Sequence, residues 1–197
     1  MKFQFTIRGM VFSALFAALI VVFGFININL GFTPVPITLA TMAVMLAGAF
    51  LGTTYGFFSV FLVIALSALG LPLLAGTGGL AIILGPNGGY LWSWPFSALF
   101  IGFFLSRIKG NSIRSYLLTF ITLEVFGSFI MYITGVPWLA HVLKTSLAKA
   151  MILGCYPYLP GDALKAIVTT VIVVPIRQIY PISRLLGNHS THVIKLE

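Results

Sequence analysis

The segment LPGDALKA holds the only aspartate of the chain, Asp162, three residues before Lys165. On a helix that spacing puts both side chains on one face. An ionised carboxylate only accepts hydrogen bonds and an ammonium carries three donors. Together they form a polar clamp for a small ligand that offers both donors and acceptors. The plainer reading is a local ion pair, with Asp162 complementing the positive end of a helix that starts at Pro160-Gly161-Asp162. The two readings are compatible, because a paired aspartate and lysine keep unused hydrogen-bonding capacity. A long apolar run follows, and ionisable groups in a membrane helix are costly enough to be read first as functional.

Thr77-Gly78-Gly79 and Asn87-Gly88-Gly89-Tyr90 form a second constellation. Glycine lets backbone approach a ligand closely and adopt positive φ, although two ordinary turns would use the same residues. These glycines do not match the phosphate-cradling G-x-x-x-x-G-K-[ST] pattern, which the whole chain lacks. Any use of ATP would therefore require a partner. Glu124 falls about nine residues into an expected span, near mid-depth at roughly 1.5 Å rise per residue. A cation pathway, a hydrogen bond to a neighbouring helix and a protonated carboxyl all fit that position. His141, His189 and His192 are too scattered for a metal site, and no histidine lies within a span beside a nucleophile. The single Cys155 excludes an internal disulfide and a cysteine metal cluster.

The elements that must position these residues follow from composition. Hydrophobic residues make up 59% of the 197 positions and charged residues 7%, against roughly 25% charged in soluble domains. Lipid is the expected solvent, and the fold class is an all-α integral membrane protein with one domain. Six spans are expected at about 10–28, 37–50, 55–69, 91–105, 116–133 and 163–179, each near the length a bilayer requires or shielded by neighbours. The N-terminal run is read as the first span and not as a cleaved signal. Residues 70–90, with seven glycines, are expected to be a folded-in substrate loop between helices 3 and 4, since irregular backbone at membrane depth must be buried or line a cavity. GVPWLA opens a long connection with a short amphipathic helix, Pro175 kinks or ends the sixth span, and 182–197 is a loose cytoplasmic tail.

The net charge of +8 is scattered, which argues against nucleic acid and for membrane orientation. With six spans, Lys2, Arg8, Arg107, Lys109, Arg114, Arg177, Arg184 and Lys195 share one side, and Lys144 and Lys149 the other. This asymmetry predicts cytoplasmic termini. It brings the Gly-rich loop and the LPGD segment together at the outer face.

Four segments in order, TPVPITL (33–39), LGPNGGYL (84–91), GVPWLA (135–140) and LPGDALKA (159–166), resemble the BioY family. The resemblance covers roughly residues 10–180. It implies the biotin-specific substrate-binding component (S component) of an energy-coupling-factor transporter in the cytoplasmic membrane. A six-helix S-component bundle would bind biotin from outside, with biotin as transported ligand and no cofactor. A separate transmembrane coupling subunit and ATP-binding subunits would supply the energy while the bound component topples in the membrane. By similarity Asp162 and Lys165 match the polar pair of the last helix, and Thr77 lies near a polar position of the loop. Ala14 and Ala18, four apart, are by themselves the small residues of close helix packing inside a bundle; by similarity they also resemble the motif that docks the first helix on the coupling subunit. Two positions depart from the family pattern. Ala40 stands where glutamine is frequent, which removes a polar contact, and Asn87 stands where threonine or serine is frequent, which keeps a donor and an acceptor.

Chemically, biotin offers two ureido N–H donors, a carbonyl, an apolar bicycle and a carboxylate. Asp162 suits a ureido N–H, Lys165 either the ureido oxygen or the carboxylate, and Tyr90 and Trp138 either the bicycle walls or the commoner role of interfacial anchors. The competing readings are an S component for another vitamin, a solitary proton-coupled carrier using Glu124, and an intramembrane enzyme. Three acids in the whole chain argue against the enzyme.

Overall fold

The computed structural model describes residues 6–182. Eight helices, α1 (Ile7–Gly24), α2 (Ala40–Ala68), α3 (Leu80–Leu84), α4 (Gly88–Leu105), α5 (Ile113–Glu124), α6 (Ile130–Val142), α7 (Leu147–Gly154) and α8 (Leu159–Ile179), account for most of it. A π-helical turn, Val125–Phe129, makes α5 and α6 one continuous run. Among the described residues, four helical runs are long and apolar enough to cross a membrane: α1, α2, Ile113–Val142 and α8. Their outward faces carry large apolar side chains, such as Ile133 at 72% and Leu164 at 61% exposure. A chain surrounded by water would bury such residues; one surrounded by lipid has no reason to.

α2 is not a straight rod. Gly52 sits at φ 72°, ψ −166° inside it, a conformation open to glycine and not to L side chains. Beyond the break the chain folds back, because a Cβ on Gly56 would lie 3.1 Å from the Ala47 carbonyl oxygen and from Gly48 Cα. On an unbroken helix residues eight apart are about 12 Å apart. The two arms, 40–51 and 53–68, are thus a hairpin that packs mainly on α4 and α1. Glycine and alanine permit this closeness. Ala43, Ala47 and Ala49 are fully buried, and Gly48 lies against the backbone of Ala98 on α4. Small residues let membrane helices approach, and hydroxyls then bond across them. Ser59 Oγ donates to the Ser13 carbonyl of α1 at 2.8 Å, and the Thr6 amide donates to Tyr55 Oη at 2.7 Å.

Several expected boundaries shift. The ends of the first two expected spans, 10–28 and 37–50, are not helical where they meet: Asn27–Ile28 pairs antiparallel with Ile37–Thr38 in a short hairpin. The 70–90 segment is irregular only in part, over 70–79 and 85–87. Leu80–Leu84 is a helical turn and Gly88–Tyr90 already belong to α4. GVPWLA is helix, with Pro137 inside α6, and α8 continues past Pro175 to Ile179. Sequence rules drawn from water-soluble helices read proline as a stop, whereas a membrane helix tolerates it because neighbours satisfy the freed carbonyls. The expected amphipathic helix in the last connection is α7, started by Ser146, whose side chain accepts from the Lys149 amide. From residue 183 on, the expected tail lies outside the described residues, as do Lys2, Arg184, Lys195, His189 and His192.

Candidate functional site

At one end of the bundle a cavity of about 170 Å³ opens between α1, the hairpin, the start of α2, the Gly-rich segment, α4, α6 and α8. That is close to the ~150 Å³ apolar cavity that holds a benzene ring, so it accommodates a ring-sized group. Its lining is mostly apolar, with Val35, Leu74, Ile82, Leu91 and Met131 among the walls. The two far-apart segments singled out in the sequence meet here. Thr77 and Asn87 line the cavity from one side, and Asp162 and Lys165 from the other.

Asp162 lies in the first turn of α8, whose N-terminus carries Pro160. Lys165, one turn on, therefore projects from the same face. Both are buried, at 9% and 7% exposure, so the pair is not a solvated surface bridge. Lys165 Nζ donates to Asp162 Oδ1 at 2.9 Å and to Thr41 Oγ1 at 3.0 Å. The other carboxylate oxygen, Oδ2, accepts from the Tyr132 hydroxyl of α6. An isolated buried charge would cost several kcal/mol, and the lysine, tyrosine and threonine hold this pair in place. The arrangement is not saturated. Lys165 has used two of its three donors, and each Asp162 oxygen has a lone pair to spare. The site can therefore offer one cationic donor and up to two anionic acceptor positions to a polar ligand.

Two further tyrosines shape the pocket. Tyr90 lines it, with its hydroxyl donating to the Gly154 carbonyl at 2.8 Å and its ring edge-to-face with Tyr132 at 6.4 Å between centroids. Tyr158 donates to the Val35 carbonyl at 2.5 Å and lies 3.3 Å from Thr33 Oγ1, which fastens the TPVP segment to the start of α8. Burial raises the pKa of the Tyr158 phenol and of the neighbouring Cys155 thiol, so both stay protonated at neutral pH. Asn87 Oδ1 and Trp94 Nε1 belong to cavity-lining residues and are buried without a hydrogen-bond partner among the described residues.

Of the expected site residues, Thr77, Asn87, Tyr90, Asp162 and Lys165 come together at the cavity. Gly78, Gly79, Gly88 and Gly89 do not line it. A Cβ on Gly88 or Gly89 would run into Ile83 or Trp138, and one on Gly78 into Leu71. Their closeness serves the protein's own packing. Gly79, at φ 88°, turns its amide to the Ser67 carbonyl at 2.7 Å. Trp138 is likewise a clamp and not a cavity wall: its indole donates to the Gly85 carbonyl at 2.9 Å and its ring meets Trp92 at 4.3 Å. Ala14 and Ala18 are exposed on α1, away from the cavity. Sequence reasoning missed Tyr132, Thr41 and Tyr158. A tyrosine two residues before the threonine of ITGVPW was the available signal for the first; the others had none.

Fold and site together define a multi-pass helical membrane protein with a solute-sized cavity at one end of its bundle. The BioY family model matches residues 1–182, and the chain belongs to that family. It is 38% identical over 174 residues to the biotin transporter BioY of Lactococcus lactis subsp. cremoris, covering 87% of this chain and 92% of that protein. It is 37% identical to the biotin transporter BioY of Rhizobium etli, covering 89% and 96%. Among solved structures it resembles the S-component for biotin from an ECF-type ABC transporter, with TM-score 0.81, 38% identity, and 87% and 92% coverage. The family inferred from four short segments is the family found.

Proposed function

We propose that the chain captures biotin and carries it across the cytoplasmic membrane as the substrate-binding subunit of an ECF-type transporter, energised by partner ATPases. The observation that carries this reading is the buried Asp162–Lys165 pair at the wall of an otherwise apolar cavity. A biotin bicycle needs apolar walls, and its ureido group needs an acceptor for N–H and a donor for its oxygen. Asp162 supplies the acceptor and Lys165 the spare donor. Asn87, Thr77 and Tyr90 stand around the same opening, and Gly78, Gly79, Gly88 and Gly89 set the backbone that carries them.

The bundle crosses the bilayer six times in this reading: α1, the two arms of α2, α4, the α5–α6 run and α8. The fold-back at Gly52 and the 18-residue length of α4 support that count. The α2 arms are short, and neighbouring helices shield them. The termini and the basic 107–114 loop face the cytoplasm, and the cavity faces outward. The exposed Ala14 and Ala18 dock α1 on a coupling subunit.

The test is uptake of labelled biotin by cells that lack their own biotin transporter, with and without co-expressed coupling and ATP-binding subunits. Uptake that requires this chain and is increased by the ATPase subunits supports the reading. Uptake that instead follows an imposed proton gradient, with no effect of the subunits, contradicts it.

A further inference from the structure

The opposite end of α8 carries a second polar notch that the cavity does not explain. Arg177 lies in the last turn of α8, 15 residues and thus about 22 Å along the helix from Asp162. It is half-buried, and it lines a small cleft with Ser115 and Thr119 of α5 and the backbone at Gly110. The described acids are Asp162 and Glu124. The ion pair formed among the described residues joins Lys165 and Asp162, so Arg177 has no carboxylate there. The cleft is held in shape. Gln178 Nε2 donates to the Gly110 carbonyl at 2.6 Å, and Ser115 Oγ to the Lys109 carbonyl at 2.9 Å. Lys109, in the connection before α5, and Arg114, in the first turn of α5, are exposed and adjoin the lining residues Gly110 and Ser115 in sequence.

We propose that this cleft is a binding site for the phosphate of an anionic phospholipid headgroup. A planar guanidinium presents a fork that matches phosphate oxygens, and it is more easily desolvated than an ammonium. Thr119 adds a hydroxyl, and Lys109 and Arg114 raise the local positive potential. A basic pocket between helices at a membrane surface is the arrangement that recognises acidic headgroups. The depth fits a lipid better than a soluble anion, since the cleft lies at the end of a membrane helix flanked by outward-facing Ile179 and Ile113, both exposed. The site requires only that this end of α8 meets a bilayer surface, whichever compartment it faces, and it does not depend on the identity of the transported solute.

The experiment uses the full chain purified in a neutral detergent. Bound lipid is followed by native mass spectrometry, and thermal unfolding by intrinsic fluorescence. Dioleoylphosphatidylglycerol, dioleoylphosphatidylcholine and inorganic phosphate are added in parallel. Expected results are preferential retention of the phosphatidylglycerol and a rise in unfolding temperature that phosphatidylcholine does not give. Arg177→Gln weakens phosphatidylglycerol binding about fivefold or more, and Arg114→Gln by less. Equal retention of the two lipids, or undiminished preference in Arg177→Gln, overturns the proposal. Stabilisation by inorganic phosphate alone, lost in Arg177→Gln, overturns the lipid reading in favour of a soluble anion. Should Arg177→Gln not fold, Arg177→Lys keeps the charge and loses the fork, and an intermediate loss of preference is expected; no loss with either Arg177→Lys or Arg114→Gln counts against the site.

Discussion

The hydroxyl of Tyr132 on α6 donates to Oδ2 of Asp162 on α8, so the carboxylate is fixed from two helices at once, by Tyr132 on one oxygen and by Lys165 at 2.9 Å on the other. A carboxylate held this way cannot rotate to suit whatever arrives. It presents its remaining lone pairs in one direction, toward the cavity it lines. Replacing Tyr132 by Phe keeps the ring and removes that tether. The expected effect on the purified protein is a loss of biotin affinity of roughly tenfold, since an unmet buried acceptor costs about 1–3 kcal/mol. Titration calorimetry checks it, and unchanged affinity would show that Lys165 alone orients the carboxylate.

Asp162→Ala and Lys165→Ala are each expected to weaken biotin binding at least tenfold, through loss of the ligand's partner and through the charge left behind. Equilibrium binding of labelled biotin to both variants decides it. Wild-type affinity in both would remove these residues from the site.

The same pair has a stability signature. Lys165→Ala strands a buried carboxylate, and Asp162→Ala strands a buried ammonium, each costing on the order of 3–5 kcal/mol. Asp162→Ala with Lys165→Met strands neither. In detergent the double variant should unfold at a higher temperature than either single variant, although it binds no biotin. A double variant less stable than both singles would mean that the pair is not electrostatically isolated.

Gly135 on α6 has the Tyr90 ring against it, where an added Cβ would clash. Gly135→Ala must push Tyr90 off Gly154 and into the cavity. The expected cost is about 1–3 kcal/mol in stability from overpacking, with weaker biotin binding alongside, while Gly161→Ala, in α8 with open space around it, should lower neither. Thermal unfolding and binding measured on the two variants separate the cases.

Ala14→Leu with Ala18→Leu enlarges the exposed face of α1 without touching the cavity. Purified, this variant is expected to bind biotin as the wild type does. In cells with the coupling and ATP-binding subunits its uptake should fall at least tenfold, because bulky side chains keep helix backbones apart. Loss of binding in the purified variant would place these alanines in the fold and not at a docking face.

The sequence made the charged pair legible because the chain has so few charges that each demands a reason. Asn87, Thr77 and Tyr90 were legible for a related cause: polar side chains set among glycines in an apolar chain have little else to serve. The glycines themselves were ambiguous in principle. Gly88 and Gly89 announce a close approach, but sequence does not say whether a ligand or Trp138 is what approaches. Tyr132 and Tyr158 stayed hidden because a tyrosine in an apolar run has several ordinary uses, and its hydroxyl's partner lies on a helix distant in sequence. The long α5–α6 helix was cut short on paper by Gly135 and Pro137, whose breaking power belongs to helices in water. The turn at Gly52 was readable as the short gap between the expected spans 37–50 and 55–69, yet its φ of 72° is what makes that turn tight enough for the two arms to touch.

The measurement closest to the central claim is equilibrium binding of radiolabelled biotin to the purified chain alone, in detergent, with unlabelled riboflavin, thiamine, folate and biotin as competitors. Saturable binding at one site, displaced by biotin and by none of the others, is the predicted result. No saturable binding, or displacement by another vitamin as readily as by biotin, would contradict the account.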